Sequence, residues 1–265
     1  MFKTVNIMGY KILQEHISSI KIENSDKTIV NTLNAHSYVT AKNDKKFKEA
    51  LEKSDLLIPD GSGIVLASSF LNKEAIQKIA GDDLHQYLLS ELQKTGGKCF
   101  YMGSSESTLD KIHEKLAKDF PNVEVESYSP PFKDEFSEKE NEEIISKINA
   151  FSPNVLFVGM TAPKQEKWLY ENKKHLNFDI ASSIGAVFDF YAGTVKRPSI
   201  FWQNMHLEWL PRLCSEPKRL WKRNFVSTPL FLFELFLYKI SIKKSKVLTY
   251  SSSNHELVEQ VIHSS

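Results

Sequence analysis

The chain has 265 residues, 41% hydrophobic and 25% charged, which suits one large α/β domain or two small ones and excludes disordered, collagen-like and disulfide-stapled architectures. Its two cysteines, Cys99 and Cys214, cannot build a disulfide framework or a four-ligand zinc site, so a reducing, cytoplasmic compartment fits best. The net charge of +1 conceals a division: net −5 over residues 1–195, +8 over 196–246 and −2 beyond.

The N-terminus, MFKTVNIMGYKI, lacks the charged start, apolar run and small-residue cleavage site of a secretory signal. Short apolar, β-branched runs bounded by turn residues then alternate with stretches of helical spacing. In chain order they predict a strand at Thr28–Thr32, a helix at Lys42–Leu51, a strand at Leu56–Ile58, a helix at Asp83–Gln93 and a strand at Lys98–Met102. A helix at Ser105–Asp119, a strand at Val123–Ser127, a helix at Ser137–Asn149, a strand at Asn154–Val158, a helix at Pro163–Lys174 and a strand at Asp179–Ser183 follow. Ser105 and Ser137 read as N-caps, the latter with Glu140 three residues on in a capping-box arrangement. Such alternation implies βαβ units, hence a Rossmann-like, mainly parallel α/β sheet with helices on both faces.

Ligands of such sheets bind beyond the carboxyl ends of the strands. The unusual polar and glycine-rich residues fall there: Asn34-Ala-His36, Asp60-Gly61-Ser62-Gly63, Gly103-Ser-Ser105, Gly159 through Glu166, and Ser183-Ile-Gly185. Glycine is scarce, and five of the ten sit in these loops, so it is placed there for a reason. Asp60 reads equally as a helix N-cap and as a general base on a substrate hydroxyl. Leu66 stands where a dinucleotide fingerprint needs glycine, which disfavours a nicotinamide dehydrogenase. Asp82-Asp83 would point about 100° apart on a helix, no D-x-D or H-x-x-x-H occurs, and metal dependence is disfavoured. His36, His85 and His206 read as polar or packing residues, and neither a serine-hydrolase elbow nor a P-loop is present.

Gln165 and Glu166 place an amide and a carboxylate at a helix start, and amides read uracil or sugar hydroxyls well. Asp189, among apolar neighbours, needs a partner if buried, such as Lys196 or Arg197, and a structural ion pair is as good a reading as a ligand contact. Beyond Val195 the chain becomes basic and tryptophan-rich. Arg212, Arg219 and Arg223 share one helical face, and guanidinium forks suit a diphosphate. The apolar run 226–240 is shorter than the ~20 residues that span a bilayer and is interrupted by Glu234, so it should lie on a surface; Lys239, Lys243, Lys244 and Lys246 favour anionic lipid, with a core helix or homo-oligomer contact as the alternative. The expected organisation is a 1–195 α/β core, a basic, aromatic, helical appendage at 196–246 and a tail at 247–265.

The ordered set Asn34-Ala-His36, Asp60-Gly-Ser-Gly63, Gly81-Asp-Asp-Leu84, Gly159-Met-Thr-Ala-Pro-Lys-Gln-Glu166, Gly185 through Arg197, and Leu207 through Arg223 resembles the WecG/TagA/CpsF family of bacterial glycosyltransferases. The resemblance implies inverting, metal-independent and cofactor-free transfer of a sugar, N-acetylmannosamine or a relative, from a UDP-sugar to N-acetylglucosamine on undecaprenyl diphosphate. It implies a cytoplasmic enzyme peripheral on the inner face of the cell membrane, working in teichoic acid, enterobacterial common antigen or capsule synthesis, with no nucleic-acid partner. By motif, Asp60 is the implied base with Thr32 and Asn34 beside it, while Gln165 and Asp189 position the nucleotide-sugar. Arg212, Arg219 and Arg223 would close over the diphosphate. Gly61, Gly63, Lys78, Asp83, Gly103, Gly159, Glu166 and Arg197 complete the expected substrate-binding set. Two departures stand out: the family's R-[VI]-x-G-x-D reads Lys78-Ile-Ala-Gly-Asp-Asp83, and the middle-loop aromatic is displaced, with Tyr128 and Phe132 flanking Pro130-Pro131. They motivate an alternative, a non-catalytic nucleotide-sugar-binding scaffold at the membrane.

Overall fold

A strand whose consecutive residues are all apolar must be covered on both faces, and Val155–Val158, with all four side chains fully buried, is such a strand. In the computed structural model, which describes residues 2–22, 27–195 and 217–242 (Arg219 by its backbone only) together with Trp202, Leu210, Pro211 and Leu213, this strand lies inside an eight-stranded sheet. The elements are β1 (Thr4–Ile7), β2 (Tyr10–Leu13), β3 (Thr28–Leu33), α1 (Ala35–Asn43), α2 (Lys45–Glu52), β4 (Leu56–Pro59), α3 (Ser62–Asn72), α4 (Gly81–Thr95) and β5 (Lys98–Gly103). There follow α5 (Glu106–Asp119), β6 (Glu124–Tyr128), α6 (Glu138–Phe151), β7 (Val155–Gly159), α7 (Lys164–Asn172), β8 (Ile180–Ser183), α8 (Val187–Ala192) and a C-terminal helix α9 over 217–242.

The strand order is β1-β2-β4-β3-β8-β7-β5-β6, parallel throughout except for the antiparallel β1–β2 pair. Because side chains alternate across a strand, Val30, Ile58, Tyr101 and Phe157 face α4, α5 and α8. Their neighbours Ile29, Met102, Leu156 and Val158 face α6 and α7. That second layer continues as α1, α2, α3 and α9 packed over Leu33 and Leu57. The predicted Rossmann-like sheet covered on both faces is therefore present, and each predicted strand lies within a residue or so of its observed limits. The Ser137 capping box also forms: Ser137 N–H donates to Glu140 Oε2 at 2.7 Å and Glu140 N–H to Ser137 Oγ at 3.4 Å.

Three features differ from expectation. The β1–β2 hairpin went unpredicted because each strand has only four residues and its Met8-Gly9 turn, with both residues at positive φ, lacks the usual Asn-Gly signal. The predicted helix Lys42–Leu51 is broken at Asp44, whose extended backbone lets its Oδ1 accept from Phe47 N–H at 2.9 Å and cap α2. Finally, the apolar stretch Leu220–Ile242 forms a 23-residue helix, long and apolar enough to cross a bilayer, so the length argument drawn from 226–240 is too short. This helix nonetheless lies on the domain. Phe231 and Leu235 are buried in the α1–α3 core, Glu234 pairs with Lys42 at 2.7 Å, and Lys239 Nζ donates to the carbonyls of Phe70 and Leu71.

Candidate active site

Since β4, β3, β8, β7 and β5 run parallel and adjacent, their carboxyl ends form one rim carrying, in that order, Asp60, Asn34, Gly185, Gly159 and Gly103. At about 4.8 Å per strand the rim is roughly 19 Å long. A lone monosaccharide cannot touch both ends of it, whereas an extended nucleotide-diphosphate-sugar can. The connections after β5 and β7 depart in opposite directions, to β6 at the edge and to β8 at the centre, which opens the crevice where such sheets hold ligands.

Asn34 is the pivot of the β4 end. Its Oδ1 accepts from the backbone N–H of His36 and of Ser37, both at 3.0 Å, capping α1, so its Nδ2 must be the atom that faces Asp60 Oδ2 at 3.3 Å. Asp60 N–H donates to Leu33 O at 2.9 Å, binding the two loops together. The N-cap of α3 is Gly61, so Asp60 is not its capping residue, and the Asp60 carboxylate instead accepts from Asn34 Nδ2. It stands half-buried, held by Asn34. Thr32 lies on β3 opposite Ile58, half-buried on the α4 and α8 face.

Lys78, half-buried, belongs to a stretch drawn along β4 by the Ile79 N–H to Pro59 O bond of 2.9 Å. Asp83 is an exposed cap whose Oδ2 accepts from Ala80 N–H at 2.8 Å. At the far end, Gly103 has φ +118°, and a Cβ there would sit 2.4 Å from Gly159 O, so the two loops touch backbone to backbone.

Gln165 and Glu166 are placed differently from a pair lining an open pocket. Each is 5% exposed. Gln165 Oε1 accepts from Met160 N–H at 3.2 Å while its Nε2 donates to Glu166 Oε1 at 2.9 Å, and the amide stands beside Gly185. The pair braces the loop after β7, with the amide lying against the loop after β8. Burial pushes the Glu166 carboxyl up to about 7, Gln165 offsetting part of the shift, and among the described residues Glu166 Oε2 has no hydrogen-bond partner. Asp189 is half-buried on α8 and accepts from Thr194 Oγ1 at 3.4 Å; Lys196 and Arg197, its expected partners, lie outside the described residues, as does Arg212.

The basic helix reaches the same rim. His36 Nδ1 and Ser227 Oγ are 2.8 Å apart, joining the first turn of α1 to the π-helical turn Arg223–Ser227 of α9. Burial first, then the positive charges of Arg223 and Lys222, hold the His36 imidazole below its ordinary value. One turn on, Phe231 lies over Gly63, where an added Cβ would come within 3.6 Å of its ring, and meets Tyr38 edge-to-face at 5.3 Å. Sequence reading missed this junction, because nothing local connects residues so far apart in the chain. His85, by contrast, is the packing residue it was read as: fully buried, 2.6 Å from Tyr101 Oη, and pushed down to about 3 by burial and then Lys115.

A parallel α/β sheet with its polar loops gathered on one rim, and a cationic helix docked beside the rim carboxylate, defines a Rossmann-like protein. The chain belongs to the Glycosyl transferase WecG/TagA/CpsF family, whose sequence pattern matches residues 5–245, and is by that membership a glycosyltransferase. Among similar proteins, an N-acetylglucosaminyldiphosphoundecaprenol N-acetyl-beta-D-mannosaminyltransferase of Bacillus subtilis (strain 168) is 28% identical over 251 residues, 94% of this chain and 91% of that one. Proteins of the same description from Bacillus spizizenii (28% over 208 residues, 78% and 79%) and Staphylococcus aureus strain MW2 (24% over 224 residues, 84% and 85%) also match.

Proposed function

We propose that this protein transfers N-acetylmannosamine from its UDP derivative to N-acetylglucosaminyl-diphosphoundecaprenol, inverting the anomeric centre. The acceptor hydroxyl oxygen attacks the anomeric carbon as the bond to the UDP oxygen breaks. The hydroxyl proton passes to Asp60, and the departing electron pair stays on the diphosphate. Asn34 holds the base: its Nδ2 faces one carboxylate oxygen, 3.3 Å away, and leaves the other for the acceptor. The observation that carries this reading is the meeting at one rim of a carboxylate held by Asn34 and a docked cationic helix, in a chain whose relatives bear that transferase name.

The leaving diphosphate is stabilised by Arg223, with Arg212, Arg219 and Arg197 as further cations, and by N–H groups at helix starts. The charge of the leaving group is assigned to these cations and N–H groups alone. Gln165 and Glu166 act by shaping the β7 loop, and Asp189 by shaping the β8 loop, against the nucleotide-sugar.

The lipid acceptor brings the protein to the inner face of the membrane. Trp221, Phe225, Phe233 and Phe236 of α9, each more than half exposed, extend with Leu66 and Phe70 of α3 as an apolar surface suited to the headgroup boundary. The test is to incubate the full chain with a short-chain N-acetylglucosamine diphospholipid and a panel of UDP-sugars and to weigh the products. A product heavier by one N-acetylhexosamine, formed from the N-acetylmannosamine donor alone, supports the reading. UDP binding without product from any donor supports the scaffold alternative instead.

A further inference from the structure

The contact between α1 and α9 is built more specifically than helix packing requires. Ser227, Phe231 and Leu235 lie four residues apart along one face of α9, and all three are buried. Phe231 and Leu235 enter an apolar core, whereas Ser227, 3% exposed, sits at 2.8 Å from a ring nitrogen of His36. The turn before it is π-helical: Thr228 N–H donates to Arg223 O, five residues back, and Thr228 Oγ1 reaches the same carbonyl at 3.1 Å. Such single-turn insertions recur at functional sites and re-aim the side chains that follow them. His36, on its side, donates its backbone N–H to Asn34 Oδ1, the same amide whose Nδ2 faces Asp60.

A continuous chain of contacts thus runs from the rim carboxylate through Asn34 and His36 to Ser227. Arg223 lies one turn before that serine. The charged groups facing His36 are Arg223 and Lys222 on α9, with the paired Lys42 and Glu234 further along the same two helices. Both near cations favour the neutral imidazole, whose ring nitrogen can share one hydrogen with the serine hydroxyl.

We propose that the His36–Ser227 hydrogen bond is a latch that sets the cationic start of α9 against the Asn34–Asp60 rim, which makes His36 a positioning residue for the diphosphate. The second half of this statement rests on the function proposed above; the first does not.

The experiment uses the full chain with His36→Ala, Ser227→Ala, the double variant, His36→Asn and His36→Gln. Asparagine carries a polar atom at the same bond count from Cβ as Nδ1, whereas glutamine reaches only as far as Nε2. Amide hydrogen exchange over 223–235 and steady-state transfer to the short-chain acceptor are measured for each. Loss of one hydrogen bond with a buried hydroxyl left behind should speed exchange there about tenfold and raise KM for the diphospholipid by a similar factor. The double variant should be no worse than the poorer single one, His36→Asn should recover both readouts, and His36→Gln should recover neither.

Unchanged exchange in both alanine variants overturns the latch whatever the activity. Faster exchange with an unchanged KM overturns the positioning role and leaves the transferase reading standing. Faster exchange in a protein whose unaltered form yields no product refutes the transferase reading, and with it the positioning role, while the latch itself stands.

Discussion

Glu166 offers a quantitative test of the rim's internal bracing. Its carboxyl is 5% exposed, and burial, partly offset by Gln165, raises it from 4.5 to about 7. The folded protein therefore retains a proton that the unfolded chain releases near pH 4.5. The resulting stability is complete below 4.5 and is lost as pH rises through about 7. With 1.36 kcal/mol per unit, the loss amounts to roughly 3 kcal/mol by pH 8. Glu166→Gln removes the titration but keeps an oxygen to accept from Gln165 Nε2. Urea unfolding followed from pH 4.5 to 8.5 should find variant and parent alike at the acid end and the variant roughly 3 kcal/mol more stable at pH 8. His85, pushed down to about 3, destabilises both proteins as pH falls below 6.5 and cancels in the difference. Parallel profiles for the two proteins, with no divergence above pH 5, would refute the assignment of a buried, proton-bearing Glu166.

Three further outcomes follow from the same geometry. Asp60→Asn should lower kcat by two to four orders of magnitude, the usual worth of a general base, with UDP affinity by calorimetry nearly unchanged. Phe231→Ala, which empties a fully buried site above Gly63, should cost about 3–5 kcal/mol in denaturant unfolding; a cost below 1 kcal/mol would mean that α9 is not docked as described. Gly103→Ala drives a Cβ to 2.4 Å from Gly159 O and should lower Tm and abolish the thermal shift on adding UDP.

The parallel core was legible because central strands such as Val155–Gly159 are uninterrupted apolar runs, and because Ser105 and Ser137 mark helix starts by local chemistry. The carboxyl-end rule then led from the ends of the predicted strands to Asp60 and Asn34 without any side-chain geometry. What the sequence hid was non-local or finely balanced. Asp44 ends one helix and begins another through a choice between capping and continuing that turns on about 1 kcal/mol. Whether Asp60 caps α3 depends on where that helix starts, and helix boundaries are set by packing. Gln165 looked like a ligand reader because its type and loop position suit that task, yet both ends of its amide are turned inward to Met160 and Glu166. The His36–Ser227 junction joins residues 191 positions apart and carries no local pattern.

In the proposed transfer, Asp60 and Arg223 act on the same diphosphate-bearing substrate. The most direct measurement pairs UDP titration calorimetry with product mass analysis for Asp60→Asn and Arg223→Ala. Arg223→Ala should lose at least tenfold in UDP affinity, the worth of one charge-assisted contact, whereas Asp60→Asn should keep its affinity and lose product. An Arg223→Ala protein with full affinity and full turnover would contradict this joint action.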